Sequence, residues 1–249
     1  MNKPKSVLFD YGNTIITENI LGFDKGNEAL LRIAVSNPHN ITISRLQAKA
    51  DEIIMNISKR MGSENRFYQP YELSWSSINR YIYEYFNIEF DKPYEELEWI
   101  YWNEATKARP SDNIEELLNF LYDEGIKTGV ISNIMLSGDS LKRRISDILP
   151  GNHFEFIIAS SEYVYRKPEK EIFELAVIKS GIKAEDIWFC GDNPICDIEG
   201  AYNAGMQPVW YRKNFKEKKD LKMSITSEKC IIIDDWTELR DIIKRGVNK

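Results

Sequence analysis

The sequence predicts an α/β protein, a parallel sheet flanked by helices with one helical segment inserted after its first strand. From Pro110 onward, short apolar runs alternate with helical patterns, the rhythm of βαβ units. A strand-like run at Ser6 to Asp10 stands apart from that series. Between them, from about Asn19 to Lys107, apolar residues recur at helical spacing. The chain thus divides into a core, residues 1–17 and 108–249, and an inserted α-helical cap, residues 18–107.

The elements follow in order. Ser6-Val7-Leu8-Phe9-Asp10 reads as a buried strand that ends in the turn-like Tyr11-Gly12-Asn13-Thr14. In the insert, Leu46, Ala50, Ile53, Ile54, Ile57 and Met61 share one helix face, with Ser44 as the expected cap. Ile78, Tyr81, Ile82, Tyr85 and Phe86 mark a second helix. Tyr94, Leu97, Tyr101, Ala105 and Ala108 mark a third, with Pro93 at its first position, where the missing N–H costs nothing. Asp112 with Glu115 predicts a capping pair ahead of Ile114, Leu117, Leu118 and Leu121, and Gly125 suits the stop. Strands are expected at Thr128–Ser132, Phe156–Ser160, Ile187–Gly191, Pro208–Tyr211 and Cys230–Asp234. The intervening helices carry Leu141, Ile145 and Ile148, then Ile172, Phe173 and Ala176, then Asp197 to Ala204 stopped by Gly205. A last helix runs from Trp236 to Lys244.

Composition narrows the function. The 249 residues are 43% hydrophobic and 29% charged, with a net charge of −6. This excess of acid argues against nucleic-acid or anionic-membrane partners. No apolar run approaches the roughly 18 residues of a membrane span. Met1 to Ser6 lead straight into the first strand without the long apolar stretch of a secretory signal. Cys190, Cys196 and Cys230 are odd in number and lack disulfide-framework spacing, so a reducing cytoplasm is expected. The only histidines, His39 and His153, lie in no metal motif. Neither a Walker A nor a GxGxxG pattern is present. Carboxylates and lysines are left to carry any chemistry. The basic stretch Arg212 to Lys219 reads as a solvated loop, and no sequence feature assigns an oligomeric state.

In an open parallel sheet, ligands bind beyond the carboxyl ends of the strands. Asp10, Ser132 and Asp192 each sit at or just after such an end, and Lys167 lies in the loop after the third core strand. Each alone has an ordinary explanation as a turn, cap or surface residue. Their order, spacing and shared edge do not. Together, Phe9-Asp10-Tyr11-Gly12-Asn13-Thr14, Val130-Ile131-Ser132-Asn133, Arg166-Lys167-Pro168-Glu169 and Gly191-Asp192-Asn193-Pro194-Ile195-Cys196-Asp197 resemble the four motifs of the haloacid dehalogenase-like (HAD) hydrolases. Gly200-Ala201-Tyr202-Asn203-Ala204-Gly205 extends the likeness, and the helical insert matches the position of that family's cap.

The resemblance implies a Rossmannoid core and a Mg²⁺-dependent hydrolase of a small phosphorylated metabolite, of sugar-phosphate type. Asp10 would be the nucleophile, forming an aspartyl-phosphate. Asp10, the backbone carbonyl of Gly12 and Asp192 would hold Mg²⁺, a hard ion that selects oxygen. Asp197 would act behind them, orienting a metal-bound water or Lys167. Ser132, Asn133 and Lys167 would bind the phosphoryl oxygens.

One position departs from the pattern. Phosphatases of the family carry a second Asp two residues after the nucleophile, as general acid and base, and this chain has Gly12 there. Three readings follow. The first is a phosphatase with another proton source or a good leaving group. The second is another reaction of the family, such as phosphonate hydrolysis using Lys25, Lys49, Lys59 or Lys92 of the insert as a Schiff base. The third is a weakly active or inactive protein that binds a phosphometabolite or a partner. Dehalogenation is disfavoured, because it has no use for the Gly191-Asp192 metal motif. The insert is rich in aromatics, among them Phe67, Tyr68, Tyr71, Trp75, Tyr83, Tyr101 and Trp102. Most are expected to pack its helices, with Tyr68 and Tyr71 as candidates for the pocket.

Overall fold

The computed structural model describes residues 3–62, 69–213 and 229–246. In chain order these form β1 (Ser6–Phe9), β2 (Ile16–Ile20), α1 (Phe23–Ile33), α2 (Ile43–Arg60), α3 (Trp75–Tyr85), α4 (Tyr94–Ala105), β3 (Thr106–Pro110), α5 (Ile114–Asp123) and β4 (Lys127–Ser132). The second half continues with α6 (Gly138–Ile148), β5 (Phe154–Ala159), α7 (Ser160–Tyr163), α8 (Lys170–Ser180), β6 (Ile187–Gly191), α9 (Gly200–Asn203), β7 (Gln207–Tyr211), β8 (Ile231–Ile233) and α10 (Trp236–Arg245).

The main sheet has six strands in the order β5-β4-β1-β6-β7-β8, and every neighbouring pair is parallel. A parallel sheet must be covered on both faces, and the residues of β1 show this. Leu8 packs with Ile131, Phe189 and Phe173 of α8 on one side. Val7 and Phe9 pack with Leu117 of α5 and Trp236 of α10 on the other. The chain leaves β1 toward β4 and β5, then returns to its opposite side for β6, β7 and β8. β1 is therefore the topological switch point, where open α/β sheets bind ligands.

A second, two-stranded antiparallel ribbon pairs β2 with β3, from Ile16 opposite Pro110 to Ile20 opposite Thr106. Helices α1 to α4 leave and return through it. They pack on one another, α1 against α4 and α2, and α3 against α2 and α4. Leu30, Leu46, Ile82, Tyr83 and Leu97 are buried among them.

The structure corrects three local expectations. The cap of α2 is Thr42, whose hydroxyl accepts from Arg45 N–H, not Ser44. The third predicted helix ends at Ala105, and Ala108 pairs with Glu18 in the ribbon. Strands this short and half-solvated show too little alternation to be separated from the helix before them. No Asp112–Glu115 box forms: Asn113 precedes α5 in a left-handed conformation, φ 65°. Asp112 instead pairs with Arg109 and Lys213, at 2.9 and 2.6 Å.

Arg144 of α6 ties the ribbon to the core. Its guanidinium donates to the carbonyl and hydroxyl of Thr106 at 3.2 and 2.6 Å and to Asn103 Oδ1 at 2.8 Å. Its Nε lies 3.5 Å from Glu18 Oε1, which also accepts from Tyr11 Oη at 3.0 Å. Burial pushes the Glu18 carboxyl up, and the Tyr11 bond and the charge of Arg144 oppose that shift. Arg144 is 4% exposed, and removing it leaves the partly buried Glu18 carboxylate without its cation and the Thr106 and Asn103 acceptors without their donor. Arg144→Ala is accordingly expected to destabilise the fold by about 3–5 kcal/mol in urea unfolding.

Candidate active site

Parallel register aligns the strand ends. Phe9 stands level with Val130 of β4 and Cys190 of β6. Asp10, Ser132 and Asp192 therefore emerge side by side at the carboxyl edge of the three central strands. Asp10 is anchored by its backbone N–H, which donates to the Cys190 carbonyl at 2.8 Å.

Lys167 reaches the same edge from the loop before α8. Its Nζ donates to Asp10 Oδ1 and to Asp197 Oδ1, each at 2.6 Å. The other oxygen of Asp10 accepts from Thr14 Oγ1 at 3.1 Å. The Lys167 loop is clamped by Asn133: Asn133 Nδ2 donates to the Lys167 carbonyl, and Lys167 N–H donates to Asn133 Oδ1, both at 2.8 Å. Ser132, the last residue of β4, is buried beside this clamp.

The loop after β6 presents the remaining acids. Asn193 caps the next helix by accepting from the N–H groups of Ile195 and Cys196, both at 3.0 Å. The first turn, Pro194–Glu199, is a wide π-helical turn that runs on into α9, so the helix begins three residues ahead of the predicted Asp197. This turn aims Asp197 back at the sheet, where its Oδ2 accepts from Asn193 N–H at 2.9 Å. Two glycines make the approach possible. A Cβ on Gly191 would lie 2.4 Å from the Asp197 carboxylate, and one on Gly200 would lie 2.7 Å from the Phe173 ring and 3.1 Å from the Pro168 backbone. The glycines of the fourth motif are therefore needed for close packing around Asp197 and the Lys167 loop.

Asp10, Asp192 and Asp197 each offer one oxygen within 4.8 Å of the others. Lys167, 1% exposed, is the cation shared by Asp10 and Asp197. Burial works against its charge, but the two carboxylates together raise its pKa overall. Burial pushes the Asp197 carboxyl up to about 6, against the pull of Lys167. Asp192 is also raised, by burial first and then by the charges of Asp10 and Asp197. Two buried acids and a half-buried third around one ammonium leave a negative surplus, and an all-oxygen donor set suits a hard dication such as Mg²⁺. The residues present therefore fit that ion.

The sign of the pH dependence follows. A carboxyl with a raised pKa holds its proton more tightly folded than unfolded. Stability of the metal-free protein should fall as pH rises from the ordinary Asp value, about 4, through the value of about 6 at Asp197. Mg²⁺ held by these carboxylates would compete with those protons, so it is expected to raise Tm more at about pH 7 than at about pH 5. Thermal unfolding with Mg²⁺ or EDTA at the two pH values checks this.

The chain matches the family model described as haloacid dehalogenase-like hydrolase across residues 7–211. It belongs to this family. A glyceraldehyde 3-phosphate phosphatase of Methanothermobacter thermautotrophicus is 31% identical over 54% of this chain, which spans 59% of that relative's length. The enzyme of the same name from Pyrococcus abyssi is 25% identical over 84% of this chain and 81% of its own. Among solved structures, a HAD phosphatase from Thermococcus onnurineus superposes with a TM-score of 0.61 at 22% identity, covering 96% of this chain and 97% of the other. That likeness is one of fold.

Beyond the edge, a cavity of about 320 Å³ opens between the core and α1 to α4. It reaches the edge at Asn133, Ile134 and Arg166, and its walls include Trp75, Tyr101 and Trp102. Tyr71 is not among its lining residues: it is 43% exposed and rests on Tyr165, with ring centroids 5.9 Å apart. Phe67 and Tyr68, and residues 214–219 of the stretch expected to be a solvated loop, lie outside the described residues. Among the described residues no lysine lines the cavity. Lys25, Lys49 and Lys92 pair with Glu28, Glu52 and Glu96 on the surface, and Lys59 is exposed. All three cysteines are buried and free; burial pushes Cys196 up to about 12 and Cys230 up to about 11.

The Arg144–Glu18–Tyr11 network and the Arg166–Glu72 pair, 2.7 Å long with Glu72 1% exposed, have no counterpart in the sequence reading. Single charges on amphipathic segments look like any solvated face.

Proposed function

We propose that the protein is a Mg²⁺-dependent phosphatase of a small phosphorylated metabolite that works through an aspartyl-phosphate on Asp10. The observation that carries this reading is the double ion pair of Lys167 with Asp10 and Asp197, with Asp192 in the same cluster, at the switch point of the sheet. The relatives named as phosphatases of glyceraldehyde 3-phosphate support the reaction class. The buried, reduced thiols suit a cytoplasmic setting.

Each residue has a physical task. A carboxylate oxygen of Asp10 attacks phosphorus, splitting one hard displacement into two. Lys167 sits against that carboxylate and neutralises charge on the group being transferred. The Ser132 hydroxyl and the Asn133 N–H hold phosphoryl oxygens, and the Asn133 side chain fixes the loop that carries Lys167. Asp197 orients the Lys167 ammonium. Asp10, Asp192 and the Gly12 carbonyl would hold Mg²⁺, which when bound would shield the anionic nucleophile from the anionic phosphate. The helical insert acts as a cap that bounds the pocket and selects the substrate. The absence of a cavity lysine among the described residues weighs against Schiff-base phosphonate hydrolysis.

The test is phosphate release from a panel of sugar phosphates, nucleotides and aryl phosphates, with Mg²⁺ or EDTA. Mg²⁺-dependent release that disappears in Asp10→Asn supports the proposal. No release from any ester, activated aryl phosphates included, overturns it.

A further inference from the structure

We infer that the preferred substrate is a phosphate monoester of a neutral, ring-bearing alcohol with an acidic hydroxyl, of the aryl or enol type, in place of the sugar phosphate expected from sequence. This rests on the proposed phosphatase chemistry and narrows its substrate.

The first observation is the cavity. Its volume of about 320 Å³ lies within the range for pockets that take drug-sized ligands, about 300–1,000 Å³. A triose would leave much of it to water. Its walls are largely apolar and aromatic, with Leu46, Ile54, Ile78, Trp75, Tyr101 and Trp102 all facing it. Trp75 and Tyr101 approach each other at 5.2 Å between ring centroids. Such walls reward a flat ring.

The second observation is charge. Glu18, Asp51, Glu72 and Arg166 are the charged lining residues described. Glu72 balances Arg166 at 2.7 Å, and Arg144 lies 3.5 Å from Glu18. No described lining cation is left over for a second phosphate or a carboxylate on the leaving group. Asn27 and Asn79, both buried, line the same space and suit hydrogen bonding to uncharged polar atoms of a ring.

The third observation is independent of the cavity. Residue 12 is a glycine, and nothing lies within 4 Å of where its Cβ would be, so no side chain there donates a proton to the departing oxygen. An alkoxide leaves poorly without that proton, and positioned acid catalysis is worth ~10²–10⁴-fold. An aryloxide or enolate leaves without it. As Asp10 Oδ bonds to phosphorus, the P–O bond to the ring oxygen breaks. The ring oxygen keeps the electron pair and takes its proton from water. A second water splits the aspartyl-phosphate, releasing phosphate and restoring the carboxylate. The aromatic-walled cavity and the glycine at position 12 thus select the same class of ester.

The experiment compares kcat/KM, with Mg²⁺, for phenyl phosphates of graded phenol acidity, benzyl phosphate and glyceraldehyde 3-phosphate. Phenyl esters are expected to exceed glyceraldehyde 3-phosphate by ~10²-fold or more, with benzyl phosphate between them. Gly12→Asp is the internal control and is expected to shrink the phenyl-to-benzyl ratio. Equal or greater kcat/KM for glyceraldehyde 3-phosphate overturns the inference and leaves the phosphatase standing. Benzyl equal to phenyl in the wild type removes the leaving-group requirement and overturns it too. No Mg²⁺-dependent release from any of these esters overturns the phosphatase reading itself.

Discussion

Asp10→Asn is expected to lower phosphate release by roughly 10⁴-fold or more, the scale of losing a covalent nucleophile. The substitution keeps the size and shape of the side chain and removes its negative charge. An amide oxygen is a poor nucleophile and does not leave a phosphoryl group free to be hydrolysed. The fold should survive, because the change subtracts a charge from a crowded site. Asp10, Asp192 and Asp197 each place an oxygen within 4.8 Å of the others, and Lys167 has a second carboxylate partner in Asp197, at 2.6 Å. The metal-free variant should therefore unfold at the same temperature as wild type or above it. Its gain in Tm from Mg²⁺ should shrink, since one anionic oxygen donor is gone. Steady-state phosphate release and thermal unfolding, each with Mg²⁺ or EDTA, measure both effects. A folded variant that retains wild-type turnover would remove Asp10 as nucleophile.

The site was legible in the sequence wherever strand ends and chemistry coincide. Val7, Leu8 and Phe9 are fully buried, as are Val130, Ile131 and Phe189. Strands covered on both faces read as unbroken apolar runs, which makes the residue that ends each one conspicuous. Asp10, Ser132 and Asp192 stand out as candidates that way, and Lys167 through the motif around Pro168. The ribbon was not found. In β2 burial falls off from Ile16 to Ile20, so neither alternation nor a continuous run is present. The tie made by Arg144 was equally hidden, because its 4% exposure is set by Trp102, Thr106 and Glu18 arriving from other segments. The cavity shows the same limit. Trp75, Tyr101 and Trp102 line it, but their spacing fits a helix core as well as a pocket wall. Only the packing of α3 on α4 decides which face each ring takes.

Gly12→Asp is expected to raise turnover by ~10²–10⁴-fold on esters of ordinary alcohols, the range of positioned acid–base catalysis. The local structure permits it: nothing lies within 4 Å of the new Cβ, and residue 12 is not among those with positive φ. The backbone carbonyl of residue 12 is retained, so the metal ligand proposed there would survive the substitution. The gain should divide between two steps in a way kinetics can separate. On aryl esters the wild type is expected to form its aspartyl-phosphate readily, since the leaving group requires no proton. Hydrolysis of that intermediate still calls for a base to activate water, and Gly12 supplies none. Wild type should therefore release a burst of phenol near one equivalent per site and then turn over at a kcat independent of phenol acidity. In Gly12→Asp the new carboxylate activates that water, so the burst should vanish and kcat should begin to depend on the leaving group. Rapid-mixing phenol release for both proteins tests this. A wild type with no burst and a kcat that rises with phenol acidity would place the slow step at phosphoryl transfer. A variant no faster than wild type would mean that another group already carries the proton.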